Sequence, residues 1–460
     1  MRRLTRTLAA AAVAAGLAPH ASALDLMDVW RAAAGHDAEF AAARAAGAAA
    51  DARRGQASAL WRPNLALQGG AGWATNESAV RGAHFSAPGF GQTNGVAFDT
   101  SVVNGTSGRV ALALRQPLVS RERDVERQRL LIAADAADVQ WHDARQALML
   151  RSAERYFDVA LATEQLRLLA RQQAAVDQAH VEAQDRFRIG DRPITDTHEA
   201  AARAAGLRAQ RVAAEVELQV KQAALADLSG LRPGAESLPV PAAGKAPAAP
   251  DDLPVWLDRV AGGSPAIRLA QAQWHAAEQD ARKTDAALSP SLDLVATVGR
   301  ERLSGGGDFG SASNAANNHA IGVQLSLPLY TGGMRSAQQT EARAAVDKAA
   351  ADLESARRQA ALQTRSAWLD LSVGSTRIEA LQSALDASRA RLGATRVGLS
   401  AGDRTTLDLL NAENDVTAAE LALLQARIRL LLSGLRLAAL AGQLDEARLQ
   451  QVNGALQPSR

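Results

Sequence analysis

The chain has 460 residues and sets 51 Lys and Arg against 49 Asp and Glu. With the two signs interspersed, this speaks against nucleic acid, which calls for a concentrated basic face. Aromatics make up only 3% and alanine carries much of the apolar content, so long, closely packed helices are favoured over a compact aromatic-cored enzyme. Without cysteine, disulfides, thiolate metal sites and a lipid-bearing N-terminal Cys are excluded.

Residues 1–23 read as a secretory signal. Arg2, Arg3 and Arg6 precede the apolar run Leu8–Ala18, and Ala21-Ser22-Ala23 supplies a small-x-small cleavage site. Beyond Leu24 there is no uncharged apolar stretch long enough for a spanning helix; Leu421–Leu440 is interrupted by Arg427, Arg429 and Arg436. Any membrane crossing must use strands.

Helical sequence is expected over about 25–62. Alternation then puts Leu65, Leu67, Ala71 and Trp73 on one side of a strand, and Val110, Leu112 and Leu114 on one side of a second. The Gly-, Asn- and Ser-rich stretch Asn76–Ser107 between them reads as a surface loop. A very long helix follows, then a tight turn at Gly190 and a shorter helix ending near Gly230. Leu238–Pro250 is Pro-rich and reads as an extended linker.

The second half runs in the same order: helix over about 255–289, strand Ser291–Glu301, loop Arg302–Asn318, strand His319–Leu329, helix over about 331–400, a turn at Gly402 and a last helix. Ile321, Val323, Leu325, Leu327 and Leu329 alternate with Gly322, Gln324, Ser326 and Pro328. Strands of about 11 residues with one apolar face can cross a bilayer when tilted. Four strands cannot close a barrel, and lipid does not tolerate open edges, so eight strands from a dimer or twelve from a trimer are required.

The chain is written twice. Tyr156-Phe-Asp-Val159 recurs as Trp368-Leu-Asp-Leu371, Gly190-Asp-Arg192 as Gly402-Asp-Arg404, and Leu228-Ser-Gly230 as Leu440-Ala-Gly442, each displaced by 212 residues. Leu371, Ile378, Leu385, Leu392 and Leu399 recur every seven residues and predict a coiled-coil seam. The matching Val159, Leu166, Gln173, His180 and Phe187 predict a weaker one.

Gly322-Val-Gln-Leu-Ser-Leu-Pro-Leu-Tyr-Thr-Gly-Gly-Met334, Asp352-Leu-Glu-Ser-Ala-Arg357, Thr364-Arg-Ser366, Ala438-Ala-Leu-Ala-Gly-Gln-Leu-Asp-Glu446 and Leu24-Asp-Leu-Met-Asp-Val29 resemble the TolC-like outer-membrane efflux and type I secretion channels. The resemblance spans nearly the whole chain after residue 23. It implies a mainly α chain with a β-barrel contribution: a long α-helical coiled-coil barrel plus four transmembrane strands per chain, closing as a twelve-stranded barrel in a homotrimer. It places the protein in the outer membrane of a Gram-negative bacterium, extending into the periplasm. The implied partners are outer-membrane lipid, a periplasmic adaptor and an inner-membrane pump, ABC-type or proton-driven. The corresponding division is signal peptide 1–23, first repeat 24–230, Pro-rich linker and equatorial region 231–254, second repeat 255–442 and equatorial tail 443–460.

The resemblance also assigns a gate. Asp408 matches the first of two pore-facing carboxylates, while Asn411 stands at the second, which removes formal charge and predicts a weaker cation filter. Mutual repulsion within a ring of Asp408 carboxyls would raise their pKa. Asp196 and Arg404, with Thr195 alongside, match an ionic latch; Leu399 stands where the family has an aromatic restraint. Arg186, Ile189, Gly190, Leu399 and Gly402 are the expected adaptor contacts at the hairpin tips. Read without the resemblance, Asp196 and Asp408 are carboxylates favoured at helix N-termini.

No catalytic site or cofactor site emerges. The eight histidines form no metal-ligand spacing, and Gly305-Gly-Gly307-Asp-Phe-Gly310, although it matches G-x-G-x-x-G, is followed by a polar loop and not by a helix. The alternative to a duct is a periplasmic coiled-coil scaffold without channel activity.

Overall fold

The computed structural model describes residues 24–89, 91–191, 193–232, 238–242, 251–307 and 310–457. The signal-peptide reading of 1–23, Arg192 and most of the Pro-rich stretch lie outside them. The elements are α1 (Leu26–His36), α2 (Ala38–Ala59), β1 (Asn64–Ala87), β2 (Gly91–Ser120), α3 (Arg121–Arg188), α4 (Ile194–Ser229), β3 (Val240–Pro241), α5 (Leu253–Gly263), α6 (Pro265–Ala286), β4 (Ser291–Gly307), β5 (Gly310–Ser326), α7 (Met334–Ser400), α8 (Thr406–Leu440), α9 (Glu446–Gly454) and β6 (Leu456–Gln457). The order helix–helix–strand–strand–helix–helix occurs twice, as an internal duplication demands.

Each helix expected ahead of the strands is in fact two. Asp37 takes an extended ψ of 120°, and its carboxylate accepts the Phe40 amide at 2.6 Å, ending α1 and starting α2. Ser264, with ψ 123°, separates α5 from α6 in the same way, and Pro265 opens the second helix. Short polar residues that bond to nearby amides favour such caps over helix interiors.

The strands form one antiparallel sheet in the order β1-β2-β4-β5. Both segments read as loops, 76–107 and 302–318, are instead largely strand. Their polar, Gly-rich sequence lacks an apolar alternation because much of this ribbon is exposed, and antiparallel pairing needs only backbone groups. At the other end, β5 stops at Ser326 and not at Leu329; Pro328 has no amide to give the ladder.

Register decides what each face carries. Leu65, Leu114, Ala296 and Ile321 stand opposite one another across the four strands, and Leu67, Leu112 and Val298 form the next such row. On the reverse face the intervening row is Ala66, Ala113, Thr297 and Ala320. The apolar face is left bare: Leu67 is 73% and Ile321 78% exposed.

By its contacts the chain divides into two compact units, each drawing on both halves of the sequence. Residues 49–135 and 272–351 form one, which holds the sheet. The other holds α1, α4, α5, α8 and α9 with the greater parts of α3 and α7. Its main core gathers Leu26, Tyr156, Phe157, Leu225, Leu435 and Leu449. Two aromatics at equivalent places in the repeats anchor the segment between them. The Tyr156 hydroxyl donates to the Pro239 carbonyl at 2.9 Å, and Trp368 Nε1 donates to the Asp251 carbonyl at 2.9 Å. Burial raises the Tyr156 pKa, so that hydroxyl stays a donor. β3 pairs with β6, joining the linker to the C-terminal segment.

The α7 seam lies where the heptads put it: Leu385 is buried, and Leu371, Ile378, Leu392 and Leu399 are partly so. In α3 the buried positions beyond Ala162 are Glu164, Leu168, Gln172, Val176, Ala179 and Ala183, while Phe187 is exposed. The expected register there gives way because the α3 sequence offers larger or smaller apolar side chains at other positions.

A close backbone contact provides a stability test. A Cβ on Gly263 would meet the Ala441 carbonyl oxygen at 2.4 Å, whereas one on Gly262 meets nothing within 4 Å. Gly263→Ala is expected to cost about 1–3 kcal/mol. Gly262→Ala, inside the same helix, is expected to be neutral or stabilising by roughly 0.5–1 kcal/mol. Thermal denaturation of the two purified variants side by side checks the contrast.

Candidate functional site at the hairpin tips

Both helical hairpins close with the same hydrogen-bonded turn. At the first, Gly190 has φ 80°, and the Asp191 amide returns to the Arg186 carbonyl at 2.9 Å. At the second, Gly402 has φ 84°, and the Asp403 amide returns to the Gly398 carbonyl at 2.9 Å. The left-handed residue carries no Cβ in either case, and the last helical carbonyls find partners. Ile189 is 79% exposed at the first tip, Gly190 and Gly402 are exposed, and Arg186 and Leu399 are partly covered.

The helices that leave the turns begin differently. Thr405 caps α8: its hydroxyl accepts the Asp408 amide at 3.1 Å, and Asp408 Oδ2 accepts both the Thr405 amide and the Thr405 hydroxyl at 3.0 Å. This reciprocal capping box holds the Asp408 carboxyl below the ordinary aspartate range. The Thr405 amide contributes most and its hydroxyl next, with Arg404 and Arg391 adding attraction. Within one chain the direction is thus opposite to the one a ring of like charges would impose. The equivalent cap of α4 is Pro193, which has no side-chain hydrogen bond to offer. Asp196 occupies the same third helical position, but its carboxylate finds no hydrogen-bond or ion-pair partner among the described residues.

Leu410 orients α8. It is 2% exposed and packs with Val176, Ala179, Ala204 and Leu207 of the first hairpin. At 3.6 residues per turn, Asp408 lies about 200° and Asn411 about 100° around the helix from that anchor. Asn411 is exposed and Asp408 partly so. The carboxylates that follow are neutralised: Glu413 by Arg396 at 3.1 Å, Asp415 by Arg391 at 2.6 Å, and Glu420 by Arg389 at 2.7 Å and Arg171 at 3.1 Å. Asp408 is therefore the carboxylate in the first turns of α8 without an ion-pair contact among the described residues.

Of the residues assigned to a latch, Arg404 and Thr195 are exposed and Asp196 is partly exposed. No ion pair joins Asp196 to Arg404 within the chain among the described residues, and the attraction of Arg404 is directed to Asp408. Sequence reasoning missed Thr405, Leu410 and the two arginines on Glu420. The first was detectable, because a Thr three residues ahead of an acid at a helix start is a capping-box pattern. The others depend on contacts between helices, within the second hairpin for Arg389 and between hairpins for Leu410 and Arg171, that no local pattern announces. Among the described residues there is no cluster of His, Asp and Glu arranged to hold a metal. The glycines of the Gly305–Gly310 motif lie at the end of β4 and the start of β5, and not at the start of a helix.

Comparison with known proteins accords with this architecture. The chain is 28% identical over 348 residues to the alkaline protease secretion protein AprF of Pseudomonas aeruginosa, covering 74% of this chain and 71% of that one. It is 27% identical over 442 residues to the proteases secretion protein PrtF of Dickeya chrysanthemi, covering 94% and 91%. The crystal structure of the outer membrane protein VceC from Vibrio cholerae superposes with a TM-score of 0.71 at 20% identity, over 91% of this chain and 97% of that one, and shares its fold. The profile of the outer membrane efflux protein family matches residues 29–231 and 256–443, nearly the whole described chain. The chain belongs to that family, as an outer-membrane export duct extending into the periplasm of a Gram-negative bacterium.

Proposed function

We propose that three copies of the chain form a passive duct, in which a ring of Asp408 carboxylates at the inner mouth favours cations and an adaptor grips the hairpin tips. The observation that carries the reading is the four-stranded sheet, with one bare apolar face, one face of small and polar side chains, and two unpaired edges. Three such sheets joined edge to edge satisfy every strand and give about twelve strands, within the range of membrane barrels. The duct performs no catalytic step. An inner-membrane pump supplies the driving force, and the full-length match to PrtF favours polypeptides as cargo over small toxic compounds.

At the inner mouth, three Asp408 carboxylates supply the fixed charge, because their neighbours are already paired. Asn411 adds none, so the filter has one charged ring and not two. Asp196, free of capping duty, is available to Arg404 of an adjacent copy, with Thr195 beside it. Leu399 supplies no aromatic restraint, so the latch rests on that ion pair. Arg186, Ile189, Gly190, Leu399 and Gly402 make up the adaptor face, where Ile189 offers apolar area beside a turn whose backbone is accessible.

Conductance of the purified protein in planar bilayers tests the reading. Discrete cation-selective channels are expected, and Asp408→Ala should abolish most of the selectivity while leaving the openings. Channels unaltered by the substitution would remove Asp408 from the filter. A protein that stays monomeric and soluble without detergent would instead be a periplasmic scaffold.

The pH dependence follows from the cap. A carboxyl held low keeps its charge and its hydrogen bonds above the ordinary aspartate range, and loses both as pH falls through the lowered value. Thr405→Ala removes the hydroxyl, the second-largest of the interactions that hold it low, and keeps the amide, so selectivity should be lost at a somewhat higher pH than in the parent channel. Reversal potentials recorded between about pH 2 and pH 5 would show the displacement.

The latch is tested by exchange. Asp196→Arg and Arg404→Asp should each raise open probability, and the double exchange should restore closure. A double variant as open as the singles would rule out a direct pair.

A further inference from the structure

We infer that the outward face of the sheet carries a binding site for the phosphate groups of the outer-leaflet glycolipid, formed by Arg300 and Arg302 of β4. The inference rests on the strands crossing the outer membrane. The strand ends that join the helices then face the periplasm, and the opposite ends, where β1 approaches β2 and β4 approaches β5, face the cell surface.

Register places both arginines on the lipid-facing side. Arg300 follows Ala296 and Val298 at two-residue steps along β4, and Arg302 follows Arg300, so all four project to one face. Across the sheet that face is mainly apolar from the row of Val119, Leu292 and Leu325 up to the row of Leu67, Leu112 and Val298, its polar members being Gln116 opposite Leu294 and His319 opposite Val298. The next two rows break the pattern. Arg300 stands between Val110 and Asn317, and Arg302 between Gly108 and Ala315. From Leu292 to Arg300 is about 26 Å along the strand, and to Arg302 about 33 Å. At a tilt of about 40° these become roughly 20 and 25 Å along the barrel axis, the upper border of an apolar band about 25 Å tall. Cations on the lipid face are costly at mid-membrane and cheap at that border. Trp73, 88% exposed on β1, lies one row higher, opposite Thr106, where an interfacial aromatic belongs.

Both guanidiniums are free to bind. Arg300 and Arg302 are exposed, and neither has an ion-pair or hydrogen-bond partner among the described residues. The neighbouring carboxylate, Glu301, points to the other face, where it stands opposite Arg109. The sheet around the pair is built from Gly69, Ala71, Gly108 and Ala315, which leave a shallow, uncovered floor. Asn317, His319, Ser304 and Ser313 on the same face offer hydrogen-bonding groups around it. Two planar guanidiniums two residues apart suit phosphate, which arginine binds through paired N–H groups. Sugar hydroxyls would meet the polar side chains, and acyl chains the apolar rows below. A phosphorylated glycolipid combines all three parts in that order, and a phosphodiester lipid lacks the sugar.

The test uses the full-length protein reconstituted into phosphatidylethanolamine vesicles alone, with phosphatidylglycerol, or with lipopolysaccharide. Insertion is read by conductance, and lipid retained after mild detergent extraction is read by native mass spectrometry. The parent should retain lipopolysaccharide, and Arg300→Gln with Arg302→Gln should retain about tenfold less. Arg357→Gln with Arg358→Gln, the same charge change on α7, should behave as the parent. Equal retention by the β4 variant would overturn the site. So would phosphatidylglycerol held as firmly as lipopolysaccharide, which is unselective attraction, or undiminished binding of lipopolysaccharide stripped of its phosphates. Loss of conductance in the parent would instead sink the membrane placement beneath the proposal.

Discussion

The backbone hydrogen bond in lipid is the constraint on which the rest depends. Water is absent from the hydrocarbon layer, so every amide and carbonyl of a crossing segment needs a protein partner. No helix among the described residues is long and apolar enough to cross a membrane. The crossing therefore falls to β1, β2, β4 and β5, and β1 and β5 are left with unpaired edges. From that follow the proposed assembly of several copies, the bare apolar face, and the need for Arg300 and Arg302 to sit at the border of the band.

A second constraint governs the helical unit. Alanine packs helices closely but fills little volume, so larger residues at a few places set the arrangement. Tyr156 and Phe157 fill the main core, and Leu410 pins the second hairpin to the first. Charged pairs such as Arg171–Glu420 and Arg436–Glu154 then link helices at partly exposed positions. Such pairs contribute modestly to stability. Nearer the second tip, Arg396 pairs with Glu413 and Arg391 with Asp415, so that Asp408 is left as the unpaired acid at the start of α8 among the described residues.

The duplication also explains why the two hairpin tips differ in chemistry while sharing a backbone. Gly190 and Gly402 impose the same turn. The next few residues diverge, with Pro193 at one cap and Thr405 at the other. A proline has neither a side-chain acceptor nor an amide hydrogen to offer the acid three positions on, so the Asp196 carboxylate is not drawn into its own helix as that of Asp408 is. Two copies of one motif thus present their acids differently, by a difference at a single cap.

Much of this was legible in the sequence by itself. The export signal pattern, the absence of a spanning helix, the repeat of 212 residues, the heptads of α7 and the glycine turns are properties of short or periodic stretches, and local physics suffices to read them. Tertiary structure alone decided how far the strands run, because Asn-, Gly- and Ser-rich ribbon is specified by its partner strand and not by its own alternation. It alone decided the buried face of α3, where packing between helices displaced the expected register to Leu168, Gln172 and Val176. It also decided which carboxylates are ion-paired, since Glu413, Asp415 and Glu420 meet arginines from neighbouring helices that a linear reading cannot align.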